Sequence, residues 1–133
     1  MAFVLDASIA VAWVVPSQAT VYAARVRRRA KREPFHVPSI FPIESANVIV
    51  ALERRGILSA RAAAAAGDVL SRLDPVIHPS TMSISELRQL AAAYGLSAYD
   101  ATYLALAVRL KLPVACGDRP LKAALVRAGI KLL

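Results

Sequence analysis

The chain has 133 residues, 57% of them hydrophobic, with 17 Lys and Arg against 9 Asp and Glu, for a formal charge of +8. That length fits one domain over residues 1–133, able to bury a core of its own, and the composition excludes disorder and any long linker. The single cysteine, Cys116, excludes an intramolecular disulfide and a thiolate-rich zinc site and fits a reducing, cytoplasmic setting.

Phe3-Val4-Leu5 predicts a short buried strand, and Asp6-Ala7-Ser8 can cap a helix from Ile9 to Val14 that ends near Pro16. Residues 7 to 24 carry no charge, but Pro16, Ser17, Gln18 and Thr20 interrupt the apolar run before it reaches membrane-spanning length. Asp6 and the lack of an N-terminal basic cluster argue against a signal peptide, so a soluble, unprocessed protein is expected. Residues 17 to 32 read as a second helical stretch ending in the basic run Arg25-Val26-Arg27-Arg28-Arg29-Ala30-Lys31-Arg32, stopped by Glu33-Pro34.

His36-Val37 predicts a second strand, and Pro38-Ser39 leads into a helix from Ile40 to Arg55 closed by Gly56. Ser59 to Leu73 is an alanine-rich helix, and Val76-Ile77-His78 a third strand. Ser83-Ile84-Ser85-Glu86 has capping-box spacing and starts a helix to Tyr94; Ser97 caps another from Tyr99 to Leu110. Pro113 to Cys116 is a fourth strand, Arg119 to Arg127 a helix and Ile130 to Leu133 a last strand. Short apolar strands alternating with helices predict an α/β fold with a parallel sheet covered on both faces.

Asp6, Glu44, Asp100 and Asp118 all lie inside or at the edge of apolar segments, where a carboxylate is costly unless paired, hydrogen-bonded or bound to metal. Asp6 ends the first strand and Asp118 follows the fourth. If those strands are neighbours, both reach the crevice beyond the strand C-termini, where open α/β sheets bind ligands. Glu44 shares a helix face with Ile40, Asn47, Val48 and Ala51, and Asp100 one with Leu96, Tyr103, Leu104 and Ala107.

Each acid also has a purely structural explanation. Asp6 can serve only as a helix cap, Asp100 as part of a Ser97-x-x-Asp100 capping box, Glu44 as the partner of an arginine, and Asp118 as a turn residue. Four such accidents together are a poorer explanation than a shared cation. Oxygen donors without histidine or thiolate suit Mg²⁺ or Mn²⁺, ions that polarise phosphodiesters and activate water. The five remaining acids oppose 17 bases, which leaves an electropositive surface suited to nucleic acid.

The blocks Val4-Leu5-Asp6-Ala7-Ser8, Glu44-Ser45-Ala46-Asn47, Leu96-Ser97-Ala98-Tyr99-Asp100-Ala101-Thr102-Tyr103-Leu104-Ala105-Leu106-Ala107 and Gly117-Asp118-Arg119-Pro120-Leu121 resemble those of PIN-domain nucleases, and more closely VapC-type toxins of toxin-antitoxin modules. The resemblance implies a three-layer fold with a five-stranded parallel sheet. It also implies an endoribonuclease that binds Mg²⁺ or Mn²⁺ through Asp6, Glu44, Asp100 and Asp118 and leaves 5′-phosphate and 3′-hydroxyl ends. Ser8, Asn47 and Ser97 match supporting positions, and a homodimer inhibited by a VapB-type antitoxin is the implied assembly. Cys116 stands where the family often has threonine, and Arg119-Pro120-Leu121-Lys122 where many members carry a further acid.

Arg25, Arg27, Arg28, Arg29, Lys31 and Arg32 are candidates for gripping an RNA backbone, with a solvated helix end as the plain alternative. His36, His78, Trp13 and Tyr103 read as structural. Two other functions compete with the nuclease. One is a catalytically silent PIN-like module that binds RNA or protein; the other is a phosphotransfer enzyme with Asp6 as nucleophile, which Ser8 disfavours because such enzymes want an aspartate there.

Overall fold

The computed structural model describes every residue from Met1 to Leu133. The order is β1 (Phe3–Leu5), α1 (Ala7–Ala12), a 3₁₀ turn (Pro16–Gln18), α2 (Val21–Ala30), β2 (Phe35–Pro38), α3 (Phe41–Arg54) and α4 (Ala60–Ser71). Then come β3 (Val76–His78), α5 (Ile84–Tyr94), α6 (Ala98–Leu110), β4 (Val114–Ala115) and α7 (Arg119–Arg127). The strands form one parallel sheet in the order β3-β2-β1-β4. All strand C-termini therefore open on one edge, and β1 and β4 are neighbours.

Alternation along the strands divides the core between the two faces of the sheet. Phe3, Leu5, Phe35, Val37 and Ala115 pack with Ile9 and Ala10 of α1 and Ala23 and Val26 of α2. Val4, Val114 and Cys116 pack with Tyr103, Leu104 and Ala107 of α6 and Leu121 and Leu125 of α7. A third cluster, including Val11, Ile49, Leu52 and Ala63, joins α1, α3 and α4. Burying each large aliphatic side chain contributes about 1.5–3 kcal/mol, which ties the layers to the sheet.

Two expectations are corrected. The sheet has four strands, not five: Ile130 to Leu133 contributes one bridge, Leu132 beside Val114, held by the Val114 amide on Lys131 O (3.0 Å) and the Leu133 amide on Val114 O (2.9 Å). β4 is only two residues long and offers no ladder for a full strand. The stretch from 17 to 32 is also broken. Pro16 forms a 3₁₀ turn, and the Thr20 hydroxyl caps a helix that begins at Val21, accepting from the Ala23 amide at 3.0 Å.

Candidate active site

Asp6 leaves β1 with its amide on Ala115 O (3.0 Å), so the backbone of β4 fixes it at the open sheet edge. It is 4% exposed. Although it stands at the N-cap of α1, its carboxylate makes no cap bond and instead accepts from the Ser8 hydroxyl. The cap-only explanation therefore fails for Asp6. Asp118 does cap: its Oδ2 accepts from the Leu121 amide at 3.0 Å, which starts α7 three residues beyond β4.

Glu44 and Asp100 lie in the first turns of α3 and α6. No arginine pairs with Glu44, and its Oε1 is buried without a hydrogen-bond partner. Only half of the expected capping box forms at α6: Ser97 Oγ accepts from the Asp100 amide at 3.1 Å, and the Asp100 carboxylate does not reciprocate. The first turns of α3, α6 and α7 thus present their positive dipole ends to the region holding the acids, offsetting part of their repulsion.

Three of the carboxylates are raised by burial and by neighbouring acids. Burial raises Glu44 to about 7, and the charges of Asp6, Asp100 and Asp118 add to the rise. Asp100 rises to about 6, again chiefly by burial, then by Asp118 and Asp6, with a side-chain hydrogen bond to Asp118 that favours its protonated form. Burial also raises Asp6, opposed by the Ser8 hydroxyl and reinforced by Asp118. Like charges sharing a half-buried region produce this pattern.

These groups are near enough to couple, yet no three His, Cys, Asp or Glu side chains stand in a ligating arrangement. The donor set nevertheless fits a hard divalent cation in chemistry: all four donors are carboxylates, and Glu44 Oε1 is an unsatisfied buried acceptor that an ion would satisfy. Of the expected supporting residues, Ser8 touches Asp6, and Ser97 sets the start of the helix that carries Asp100. Asn47 is exposed one turn beyond Glu44. Cys116 is fully buried, its thiol pushed up to about 12 mainly by burial, and it donates to Asp118 O at 3.5 Å.

Tyr103 belongs to the same region. Its hydroxyl is buried without a hydrogen-bond partner, and Glu44, Asp6 and Asp100 all raise its pKa after burial. The signal was its place three residues beyond Asp100 on one helix stripe. Tyr103→Phe should leave stability unchanged or raise it by about 1 kcal/mol, because it deletes an unsatisfied polar group. A clear drop in melting temperature would mean that the hydroxyl has a partner in solution.

The basic run is divided. Glu33 pairs with both Arg29 (2.9 Å) and the Met1 amino group (3.4 Å), which places the end of the run at the N-terminal sheet edge, away from the acids. Arg25 and Lys122 instead flank the Tyr22 ring, at 5.7 and 5.9 Å, and the Tyr22 hydroxyl donates to Leu133 O. Arg27 donates to Trp13 O, and Arg28, Lys31 and Arg32 are exposed without an ion pair.

A search of curated proteins finds no match. Among solved structures, the fold resembles the crystal structure of PAE2754 from Pyrobaculum aerophilum, with a TM-score of 0.71 and 22% identity over 93% of this chain and 79% of that one. Residues 3–124 match the model of the PIN domain, generally a metal-dependent nuclease fold that binds RNA. The chain belongs to the PIN domain family.

Proposed function

We propose that this chain is a Mg²⁺- or Mn²⁺-dependent endoribonuclease, the toxin of a type II toxin-antitoxin pair of VapC type, leaving 5′-phosphate and 3′-hydroxyl ends. The observation that carries the reading is that Asp6, Glu44 and Asp100 at the C-terminal sheet edge each feel the charge of neighbouring acids, Asp118 among them, with Glu44 Oε1 buried and unpaired. In this reading the four carboxylates hold the cation. When bound, the ion polarises the scissile phosphate and supplies a nucleophile from water.

The chain's own contribution is orientation. The Ser8 hydroxyl fixes the Asp6 carboxylate, the Ser97 cap fixes the first turn carrying Asp100, and the Leu121 amide holds Asp118. Asn47 is assigned to substrate or water at the rim. Glu44, whose carboxyl is raised by burial and by the neighbouring acids, gives up its proton when it takes the cation.

The proposed partners are RNA, a VapB-type antitoxin and a second copy of the chain, in a cytoplasmic setting. Exposed Ile43, Val50 and Ile57 on and just beyond α3 support a protein partner. No helix is long and apolar enough to cross a membrane. The looseness of the carboxylates favours one second reading, a catalytically silent RNA- or protein-binding module. Incubating end-labelled total RNA with the purified chain in Mn²⁺, with EDTA as control, separates the two: discrete EDTA-sensitive products support the nuclease, and uncut RNA supports the silent module.

Phosphate contacts are expected from the pair that flanks Tyr22, of which Lys122 lies one helical turn beyond Asp118. Arg25→Gln with Lys122→Gln is expected to weaken single-stranded RNA binding and to lower the salt slope by about 1.4, at about 0.7 per lost contact. Arg28→Gln with Arg32→Gln, nearer the far edge, should change the slope less. Equal effects from the two pairs would return the whole basic run to the binding surface.

A further inference from the structure

A pocket of about 190 Å³ opens at the C-terminal ends of β2 and β3, on the sheet edge at which Asp6 ends the neighbouring β1. Pro38, Ser39 and Ile40 at the end of β2, His78 to Met82 at the end of β3, and Thr102, Ala105, Leu106 and Arg109 of α6 line it. Two of its lining residues lie close in sequence to the acids. The Ile40 carbonyl accepts from the Glu44 amide at 2.9 Å, and Thr102 lies two residues from Asp100. Its volume is below the roughly 300 Å³ at which drug-sized sites begin, so it suits a planar fragment.

The lining has the chemistry of a base-binding site. Pro38, Ile40, Ala105 and Leu106 are apolar, and the His78 ring offers a stacking surface. His36 Nδ1 and His78 Nε2 lie 2.8 Å apart, so one proton between them locks the His78 ring to the neighbouring strand. Thr102 already donates to Tyr99 O at 2.6 Å, which leaves its lone pairs as acceptors. Ser80 Oγ already accepts from the Met82 amide, so its proton is free to donate, and the Ser39 and Thr81 hydroxyls are uncommitted. Arg109 is exposed, has no carboxylate partner and stands at the pocket for a phosphate.

We infer that this pocket is a nucleotide subsite that takes one unstacked base of the RNA strand near the scissile bond, with Arg109, at the far end of α6 from Asp100, on a phosphate farther along the strand, and so sets the cut sequence. The inference rests on the nuclease reading for its meaning and on the pocket for its evidence. Single-stranded RNA is read through bases splayed onto aromatic or Arg planes with hydroxyls at their edges, and this lining supplies those groups.

The test titrates the four 5′-mononucleotides into the labelled chain while following the backbone amides of Ser39, His78, Thr81 and Thr102 by NMR, and maps cut sites in total RNA. The expected result is that one or two nucleotides shift these amides, that Ala105→Leu and Arg109→Gln each weaken binding about five- to tenfold, and that both relax the base preference next to the cut. Ala105→Leu fills the pocket; Arg109→Gln is a surface change that keeps the test valid if the first variant unfolds. No shift with any mononucleotide, or unchanged binding and cut preference in both variants, overturns the subsite. Saturable shifts without any cleavage by the wild-type chain would support the pocket and overturn the nuclease reading instead.

Discussion

Asp6→Asn is expected to lower Mn²⁺-dependent RNA cleavage by about a hundred- to a thousandfold, the scale of losing one preorganised electrostatic contact to a reacting centre. Asparagine keeps the shape, and its side-chain oxygen still accepts from the Ser8 hydroxyl that holds Asp6. What it removes is a negative charge on a residue 4% exposed, between the ends of β1 and β4. Asp100→Asn should behave alike, because Asp100 couples to both Asp118 and Asp6.

The same substitution should not harm the fold. Burial and the neighbouring Asp118 disfavour the charged form of Asp6, so a neutral isostere removes a destabilising charge. Asp6→Asn in EDTA should therefore melt at or above the wild-type temperature while losing activity. End-labelled RNA cleavage with product-end analysis, run beside thermal melts, checks both. Wild-type cleavage by a folded Asp6→Asn chain would remove Asp6 from the catalytic machinery.

The sheet was readable because its strands are apolar runs bounded by punctuation, such as Phe3-Val4-Leu5 before Asp6 and Val76-Ile77-His78 before Pro79. Caps were equally local: Ser83 and Ser97 each sit where the following amides need an acceptor. The fifth strand was not readable, since Ile130 to Leu133 has strand composition but its length of pairing depends on β4, which is two residues long. Sequence spacing put Asp6 and Asp118 at strand ends; only the β1–β4 pairing put those ends together. The Arg25 to Arg32 run shows the reverse failure. A continuous basic stretch looked like one surface, yet a helix crossing the layer carries its two ends to different edges of the sheet, as the Met1–Glu33 pair reveals. Tyr103 was assigned to the core by its neighbours, which is correct for its ring and incomplete for its hydroxyl.

The second large effect is on stability, through pH and divalent cation together. The folded chain holds protons on Glu44 up to about 7 and on Asp100 up to about 6, against ordinary values of 4.5 and 3.8. Groups whose folded pKa is raised favour folding most below the unfolded value and lose that contribution as pH rises through the folded value. In EDTA, their contribution should therefore fall from about pH 4 to about pH 7. Glu33 and Glu86, whose pKa values are lowered by hydrogen bonds, act only at more acid pH. His78, shifted down mainly by burial, works in the opposite sense near its ordinary value, so the difference between wild type and Glu44→Gln isolates the acid site. An ion competes with those protons, so Mn²⁺ should stabilise little at pH 5 and strongly at pH 7.5. At a hundredfold excess over its dissociation constant, it adds about 2.7 kcal/mol, or about 10 °C for a chain of this size. Glu44→Gln should flatten the EDTA profile and cut the Mn²⁺ shift at pH 7.5. Thermal melts from pH 5 to 8 decide it: a Mn²⁺ shift that is absent, or the same at both ends of that range, would show that these carboxylates do not close around a cation.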